Sequence, residues 1–366
     1  MTPPLRLGII GAGTIAQVAH LPAAELLDDV RVVALCDRRA ELLRKVAERF
    51  RVTATHQAAD TLLGDGAVEA VCLCVPTIAH DALAEAALAA GKHVLCEKPM
   101  ASTLERAFRM IAATEDHGRR LMIGHHKRYD PGCEQARDVL LDGRVGRPRL
   151  VIYHFGTGNW LAPAPRPPLS SEQPRPPWGY EYPSGIDDPR HRAYYVSLLE
   201  MFTHMTNLIR WLVGDPNWVL GAQHAAHAVR GTLMLGWGDD GSDMQAFCVD
   251  GPHYPSNAWN EVLAVWGDEG RVEITLPQNA FVNKPARVRV FEATTGGDTL
   301  LPEVYGWAFA RELEHFAHCL RTDEPFRTSA EDSLKDLAIA DIAVRAAAGL
   351  APLPARIDYN APGSKA

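Results

Sequence analysis

The chain has 366 residues, 47% of them apolar, enough for two domains with separate cores. Its formal net charge of −8, with acids and bases mixed and no long single-sign block, argues against nucleic acid or an anionic membrane surface as partner. Seven cysteines are scattered in neither zinc nor disulfide spacing, and no apolar run approaches the roughly 18 residues that span a bilayer. A first strand beginning at Leu5 leaves no room for a signal peptide, so a reduced, cytoplasmic protein is expected.

Leu5 to Ile10 is a short apolar run of strand formers, followed at once by Gly11-Ala12-Gly13-Thr14-Ile15-Ala16. In this G-x-G-x-x-A pattern the first glycine permits a tight turn and the second lets a pyrophosphate approach the backbone. The third small residue lets the helix pack close on the strand. A helix-compatible stretch from Ile15 to about Leu27 completes the context, making Gly11, Gly13, Thr14 and Ile15 candidate cofactor contacts. A second strand, Val30 to Cys36, ends in Asp37. An acid there accepts hydrogen bonds from the adenosine ribose and favours NAD, while Arg38 is placed to pair with a 2′-phosphate and leaves NADP open.

Arg39 to Phe50 spaces Leu42, Leu43, Val46 and Phe50 as one face of a helix. Ala70 to Val75 is near-continuously apolar, as a central parallel strand buried on both faces requires. It runs into Pro76-Thr77, with His80 opening an alanine-rich helix. Cys74, Val75, Pro76, Thr77 and His80 therefore stand at a strand end, where open α/β sheets bind their ligands. One helix later, His93 to Cys96 forms another buried strand and ends in Glu97-Lys98-Pro99, before a helical run from near Ser102. A lysine there is a charged donor that becomes a base once its surroundings disfavour the ammonium, and Pro99 restricts the loop that carries it. Leu121 to Gly124 reads as a further strand, consistent with the strand order 3-2-1-4-5-6.

Gly11-x-Gly13-x-x-Ala16, His20-Leu21-Pro22, Pro76-x-x-x-His80 and Glu97-Lys98-Pro99 together resemble the glucose-fructose oxidoreductase / inositol dehydrogenase / rhizopine catabolism (Gfo/Idh/MocA) family. The match in order and spacing covers about the first 130 residues. The resemblance implies an α/β Rossmann domain with a doubly wound parallel sheet over 1–124, then a substrate-binding and oligomerisation α+β domain with a mostly antiparallel open sheet over 125–330. A C-terminal helix and tail, 331–366, would pack back on the Rossmann domain. It also implies a nicotinamide cofactor, with Glu97 beside it and Lys98 as the catalytic lysine near the nicotinamide.

His125-His126-Lys127-Arg128-Tyr129-Asp130-Pro131 resembles the family's crossover into its second domain. This makes His126 and Arg128 candidate cofactor contacts, and Arg128 a substrate contact as well. The adjacent histidines lack further ligands at a metal-like spacing, so no metal is expected. Arg149 to Phe155 alternates as the first strand of the new sheet, and by the resemblance its end contributes to the substrate site, pointing to His154 and Trp160. Residues 161 to 190 hold nine of the 26 prolines, with Trp178, Tyr180 and Tyr182 near the centre. Such a stretch is neither helix nor central strand, and an ordered loop that covers the site or meets a neighbouring subunit is expected.

A helix from about His191 to Val213 carries Glu200 and His204, four residues apart and so on one face. The family commonly shows D-x-G-x-H here. This chain has Glu200 for the aspartate and Phe202 for the glycine, and Asn207 stands where an aspartate often follows. From Trp218 to Val290, short runs of strand formers broken by Gly, Asp and Pro predict an antiparallel sheet. His224 and His227 fall in this region and read as surface or interface residues. Helices resume at about Gly306 to Leu320 and Ala330 to Ala348. One open sheet face suggests self-association as a homodimer or homotetramer.

The expected activity is NAD(P)-dependent hydride transfer at a hydroxyl or ketone carbon of a sugar, cyclitol or related polyol. In oxidation His204 would take the hydroxyl proton while Lys98 holds the oxygen, and Glu200 would bind a neighbouring hydroxyl or orient His204. The reverse assignment of Lys98 and His204 stays open. A redox-neutral, NAD-retaining epimerase, lyase or glycosidase would use the same residues, and a non-catalytic dinucleotide sensor would need neither Lys98 nor His204.

Overall fold

The computed structural model describes residues 3–175, 179–224, 230–253 and 258–360. Its contacts divide the chain into two compact units. The first comprises Met1–His126, Ala164–Glu181 and Phe309–Leu334, and the second Lys127–Pro163, Tyr182–Ala308 and Lys335–Ala366.

In the first unit β1 (Leu5–Ile10) leads into a π-helical turn, Ala16–His20, that continues as α1 (Leu21–Glu25). Then come β2 (Val30–Cys36), α2 (Ala40–Phe50), β3 (Ala54–His56), α3 (Ala59–Leu63) and β4 (Ala70–Leu73). After them run α4 (His80–Ala89), β5 (His93–Glu97), α5 (Leu104–His117) and β6 (Leu121–Gly124). The strands lie in the order β3-β2-β1-β4-β5-β6, all parallel, as the sequence predicts. β4 and β6 are buried at every residue because helices cover both faces of a parallel sheet. α2 turns Leu42, Leu43, Val46, Ala47 and Phe50 inward, each larger side chain stabilising the unit by about 1.5–3 kcal/mol. Gly118, at φ 56°, ends α5 in the left-handed conformation that glycine adopts without strain.

The second unit has α6 (Pro131–Leu141), capped by Asp130, then β7 (Pro148–Thr157) and α7 (Pro189–Ser197). A π-helical turn, Leu198–Phe202, joins α7 to α8 (Thr203–Val213). The remaining elements of this unit are β8 (Trp218–His224), β9 (Gly231–Trp237), β10 (Met244–His253), β11 (Asn260–Gly267), β12 (Gly270–Leu276), β13 (Arg287–Glu292), β14 (Gly297–Leu300) and β15 (Ala355–Arg356). By contrast, α9 (Ala308–Thr322) from Phe309 and α10 (Ala330–Ala347) as far as Leu334 group with the first unit. The sheet runs β14-β13-β12-β11-β7-β10-β9-β8-β15, antiparallel except where β10 pairs with β7. The helix expected over 191–213 is thus interrupted by a wider turn. His227 lies outside the described residues, and His224 ends β8.

Two later segments group with the nucleotide-binding unit rather than with their sequence neighbours. Ile123 on β6 donates its N–H to the Thr328 carbonyl at 2.9 Å, and Met122 forms an antiparallel bridge with Ser329. At the β6 edge of the parallel sheet, the Ile123 amide thereby finds a partner. The proline-rich stretch, expected to cover a site or meet a neighbouring subunit, docks on this same unit: Arg49 donates to the Pro167 carbonyl at 2.8 Å, and Glu181 pairs with Arg106. Of residues 331–366, expected to return to the Rossmann domain, those up to Leu334 group with the first unit and those from Lys335 with the second.

Candidate functional site

The glycine turn after β1 has the shape of a phosphate cradle. Gly11 sits at φ 100°, and a Cβ there would lie 2.3 Å from the Cys74 carbonyl oxygen, so only glycine fits between the ends of β1 and β4. A Cβ on Gly13 would meet nothing within 4 Å, which leaves that main chain open to a pyrophosphate. Thr14 and Ile15 follow at the entry to the π-helical turn, whose residues Ala16–His20 are all buried. These residues fit a dinucleotide.

Asp37 closes the far side of the turn. Its Oδ2 accepts the Ala12 N–H at 2.9 Å and an Arg39 guanidinium N–H at 2.8 Å, while Oδ1 accepts the Arg39 main-chain N–H and Nε–H, each at 2.9 Å. Burial opposes its charge, but these donors outweigh burial and hold its carboxyl below the usual carboxylate range. The sequence points to Arg38 as the neighbouring cation. In the structure Arg38 is exposed and Arg39 makes the pair with Asp37. Spacing alone gave no signal for choosing between adjacent arginines.

At the neighbouring strand ends, Cys74, Val75, Pro76 and Thr77 lead into α4, and the buried His80 joins two loops. Its Nδ1 lies 2.8 Å from the Pro99 carbonyl and its Nε2 2.9 Å from the Val75 carbonyl. His80 thus fixes the backbone that carries Lys98. The Lys98-Pro99 bond is cis, Lys98 is half-buried, and its N–H donates to Glu97 Oε2 at 3.1 Å. The other Glu97 oxygen lies 2.7 Å from His20 Nε2. Burial again opposes charge on Glu97, yet the His20 hydrogen bond and the charges of His20, Lys98 and His126 hold its carboxyl below the ordinary value. Glu312, also buried, has its carboxyl pushed well up by desolvation and the Glu97 charge. His126 is buried and stacks on Phe309 with ring centroids 4.2 Å apart. Among the described residues, His20, Cys72 and Cys74 bring metal-type ligand atoms within 4.8 Å of one another. Burial raises both thiols, which behave as small core side chains.

In the second unit, Glu200 lies in the π-helical turn and His204 in the first turn of α8. Both are half-buried, and a spacing of four stays within one turn in either geometry. α8 is held by a buried polar network. Thr206 Oγ1 and Asn207 Nδ2 donate to Asp336 at 2.9 and 2.6 Å, and Arg210 pairs with the same carboxylate at 2.9 Å. The sequence did not single out Asp336, and only its contacts reveal it. Arg128 is buried and donates from Nε and Nη2 to the Asn207 carbonyl at 3.2 and 2.9 Å, so part of its guanidinium supports α8. On β7, Val151, Tyr153 and Phe155 are buried, and Tyr153 donates to Glu261 at 2.6 Å. Strand alternation places His154 on the opposite sheet face, beside Val249 and Val262. Trp160 occupies the turn after β7, half-buried.

A family model described as "Oxidoreductase family, NAD-binding Rossmann fold" (GFO_IDH_MocA) matches residues 5–125. Residues 5–125 therefore resemble the NAD-binding domain of the Gfo/Idh/MocA oxidoreductases. An inositol 2-dehydrogenase from Rhizobium meliloti is 26% identical over 357 residues, covering 94% of this chain and 97% of that protein. The fold matches an aldose-aldose oxidoreductase from Caulobacter crescentus crystallised with glycerol (TM-score 0.75, 24% identity, 94% of this chain and 98% of that one). It also matches an oxidoreductase from Agrobacterium radiobacter crystallised with NAD+, L-tartaric acid and magnesium (TM-score 0.72, 19% identity, 94% and 96%). The matched stretch contains the glycine cradle, Asp37 and Lys98. Among the described residues of the chain no helix is long and apolar enough to cross a membrane.

Proposed function

We propose that this enzyme transfers a hydride between a nicotinamide and the hydroxyl- or ketone-bearing carbon of a sugar, cyclitol or related polyol, preferring NAD(H). The observation that carries this reading is similarity along almost the whole chain to an inositol 2-dehydrogenase. Lys98 and His204, with Glu200 one turn before the histidine in place of the family's aspartate, support it. When bound, NAD supplies the hydride acceptor. The glycine turn and Asp37 hold its pyrophosphate and adenosine ends. Lys98 stabilises the alkoxide that develops as the carbon–hydrogen bond breaks, His204 accepts the hydroxyl proton, and Glu200 binds a neighbouring hydroxyl or orients the imidazole. The NAD preference rests on Asp37, whose charge repels a 2′-phosphate. The nine-stranded sheet gives a further proposal, self-association as a homodimer or homotetramer. Ile152, Phe291 and Leu300 are exposed and, by strand register, share one face. Light scattering on the eluting protein tests this, and a monomer at micromolar concentration overturns it.

The deciding experiment is a spectrophotometric screen of cyclitols, amino-cyclitols, sugars and keto-sugars with NAD(H) and NADP(H). Net NADH formation on a polyol is expected. Bound NAD that survives purification with substrate conversion but no net NADH assigns the protein to redox-neutral chemistry instead.

A further inference from the structure

The proline-rich segment makes a series of polar contacts across the two helices that follow β1 and β2. Gln17, one turn after the glycine cradle, exchanges hydrogen bonds with the Leu169 main chain: Leu169 N–H donates to Gln17 Oε1 at 2.7 Å, and Gln17 Nε2 donates to the Leu169 carbonyl at 3.2 Å. Gln17 Nε2 also reaches the Ala12 carbonyl, at 2.9 Å. Along α2, Arg49 donates to the Pro167 carbonyl at 2.8 Å and Lys45 to the Ser170 carbonyl at 3.4 Å. At the start of α2, Gln173 Oε1 accepts the Glu41 N–H at 2.8 Å. The segment's end is tied to Arg106, in the first turn of α5, through Glu181. Both α2 and α5 begin at the carboxyl ends of parallel strands. The anchors therefore lie along the edge of the sheet where an open α/β fold binds its dinucleotide.

Gln173 is the informative anchor. The N-cap residue of α2, Arg39, makes no side-chain cap, so Gln173, 132 residues away in the chain, caps an amide that would otherwise be open. This amide lies four residues after Asp37, at the adenosine end of the cofactor site. A 2′-phosphate bound there would draw on two donor sets next to Asp37: the Arg39 guanidinium and the first amides of α2. Asp37 engages Arg39, and an acceptor oxygen occupies the Glu41 N–H.

We propose that Gln173 is a cofactor-specificity residue. Carried by a segment outside the Rossmann sequence, it caps the α2 amide and presents an acceptor where a 2′-phosphate would need a donor. It discriminates against NADP(H) in concert with the Asp37–Arg39 pair. This rests on the NAD preference proposed above.

The test uses the full-length protein and calorimetric titration of NAD+ and NADP+. Wild type is measured first, and tighter NADP+ binding there overturns the NAD preference itself, independently of Gln173. Gln173→Ala should tighten NADP+ about tenfold, the scale of one charge-assisted hydrogen bond, and move NAD+ less than about threefold. Arg49→Ala loosens the segment at Pro167 without touching the α2 amide, and should move both cofactors alike. Asp37→Ser releases Arg39, and combining it with Gln173→Ala should gain more for NADP+ than the product of the single gains. If Gln173→Ala shifts both cofactors equally, as Arg49→Ala does, or shifts neither, the proposal is overturned. Gln173→Glu preserves the acceptor and adds charge. It should weaken NADP+ further, and improved NADP+ binding by this variant also overturns the proposal.

Discussion

His20 and Glu97 form an ion pair, 2.7 Å between Nε2 and Oε1, with the imidazole fully buried and the carboxylate nearly so. Burial opposes charge on His20, yet the Cys72 thiol and Glu97 push its pKa well up. The free oxygen of the same carboxylate takes the main-chain N–H of Lys98. A buried pair of this kind contributes little net stability but is costly to break on one side, because the remaining charge loses its partner. Glu97→Ala should therefore cost about 3–5 kcal/mol in urea unfolding and also lower turnover, since the loop that carries Lys98 loses its anchor. Unchanged stability would mean that His20 is neutral in the folded protein.

Lys98→Met should leave NAD+ affinity within about threefold of wild type and cut kcat by a factor on the order of 10² or more, the usual scale for a positioned proton-transfer or charge-stabilising group. His204→Ala should do the same. If the two act as a unit, the double variant loses far less than the product of the single losses, as steady-state rates will show. Full multiplicativity would assign them to independent steps.

Asp37→Ser should tighten NADP+ binding, because it removes a repelling carboxylate and frees Arg39, which the carboxylate holds at 2.8–2.9 Å. Fluorescence titration with both cofactors reads the result. An unchanged ratio of affinities would remove Asp37 from cofactor choice.

Acid should destabilise the nucleotide-binding unit through two histidines. His93 Nδ1 accepts the Arg120 N–H at 3.2 Å and His315 Nε2 accepts the Arg327 N–H at 3.0 Å, roles that require neutral rings. Burial, reinforced by nearby arginines, lowers both pKa values to about 4. The unfolded chain takes up these protons near pH 6.5 and the folded protein only near pH 4, so their stabilisation is complete above about 6.5 and is lost as pH falls to about 4. Thermal melts across that window should show a falling midpoint, and a double His93→Gln, His315→Gln variant should show a shallower fall. Equal slopes would refute the assignment.

Asp336 accepts from Thr206 and Asn207 and pairs with Arg210, whose side chain is 1% exposed. Asp336→Ala removes one of the carboxylates that hold this guanidinium, Asp215 at 2.8 Å being another, and takes the acceptor from Thr206 and Asn207. It should cost about 3–5 kcal/mol in chemical denaturation, with reduced turnover because α8 carries His204. Asp336→Asn retains an acceptor and should lose less.

Much of the nucleotide-binding unit was legible because its signals are local. Strand runs, the glycine turn and Glu97-Lys98-Pro99 each lie within a few residues, and strand order follows from right-handed crossovers. The π-helical turn at Leu198–Phe202 was not legible, since a 3.6-residue period does not register one residue added to a turn. Nor was the docking of the proline-rich segment. It depends on proline and leucine main-chain groups meeting Arg49 and Gln17 from more than a hundred residues away, and carbonyl acceptors leave no trace in side-chain pattern. Arg39 escaped notice because the choice between adjacent arginines is made by the turn that brings its guanidinium back onto Asp37. Strand alternation in the Arg149 to Phe155 run already put Tyr153 and His154 on opposite faces, but only the structure showed which face is buried.

The pairing of β6 with residues 328 and 329 bears on how this protein is made. A ribosome that has released the six parallel strands has about two hundred residues still to translate before the segment that pairs with β6 emerges. At about 5–20 residues per second, that leaves the β6 edge unpaired for roughly 10–40 s. During that interval β6 offers open amides and carbonyls to any neighbouring chain. Nascent chains stalled between 130 and 300 should therefore be the species most dependent on chaperones, and expressing residues 1–125 alone should give an aggregation-prone product despite its complete glycine cradle.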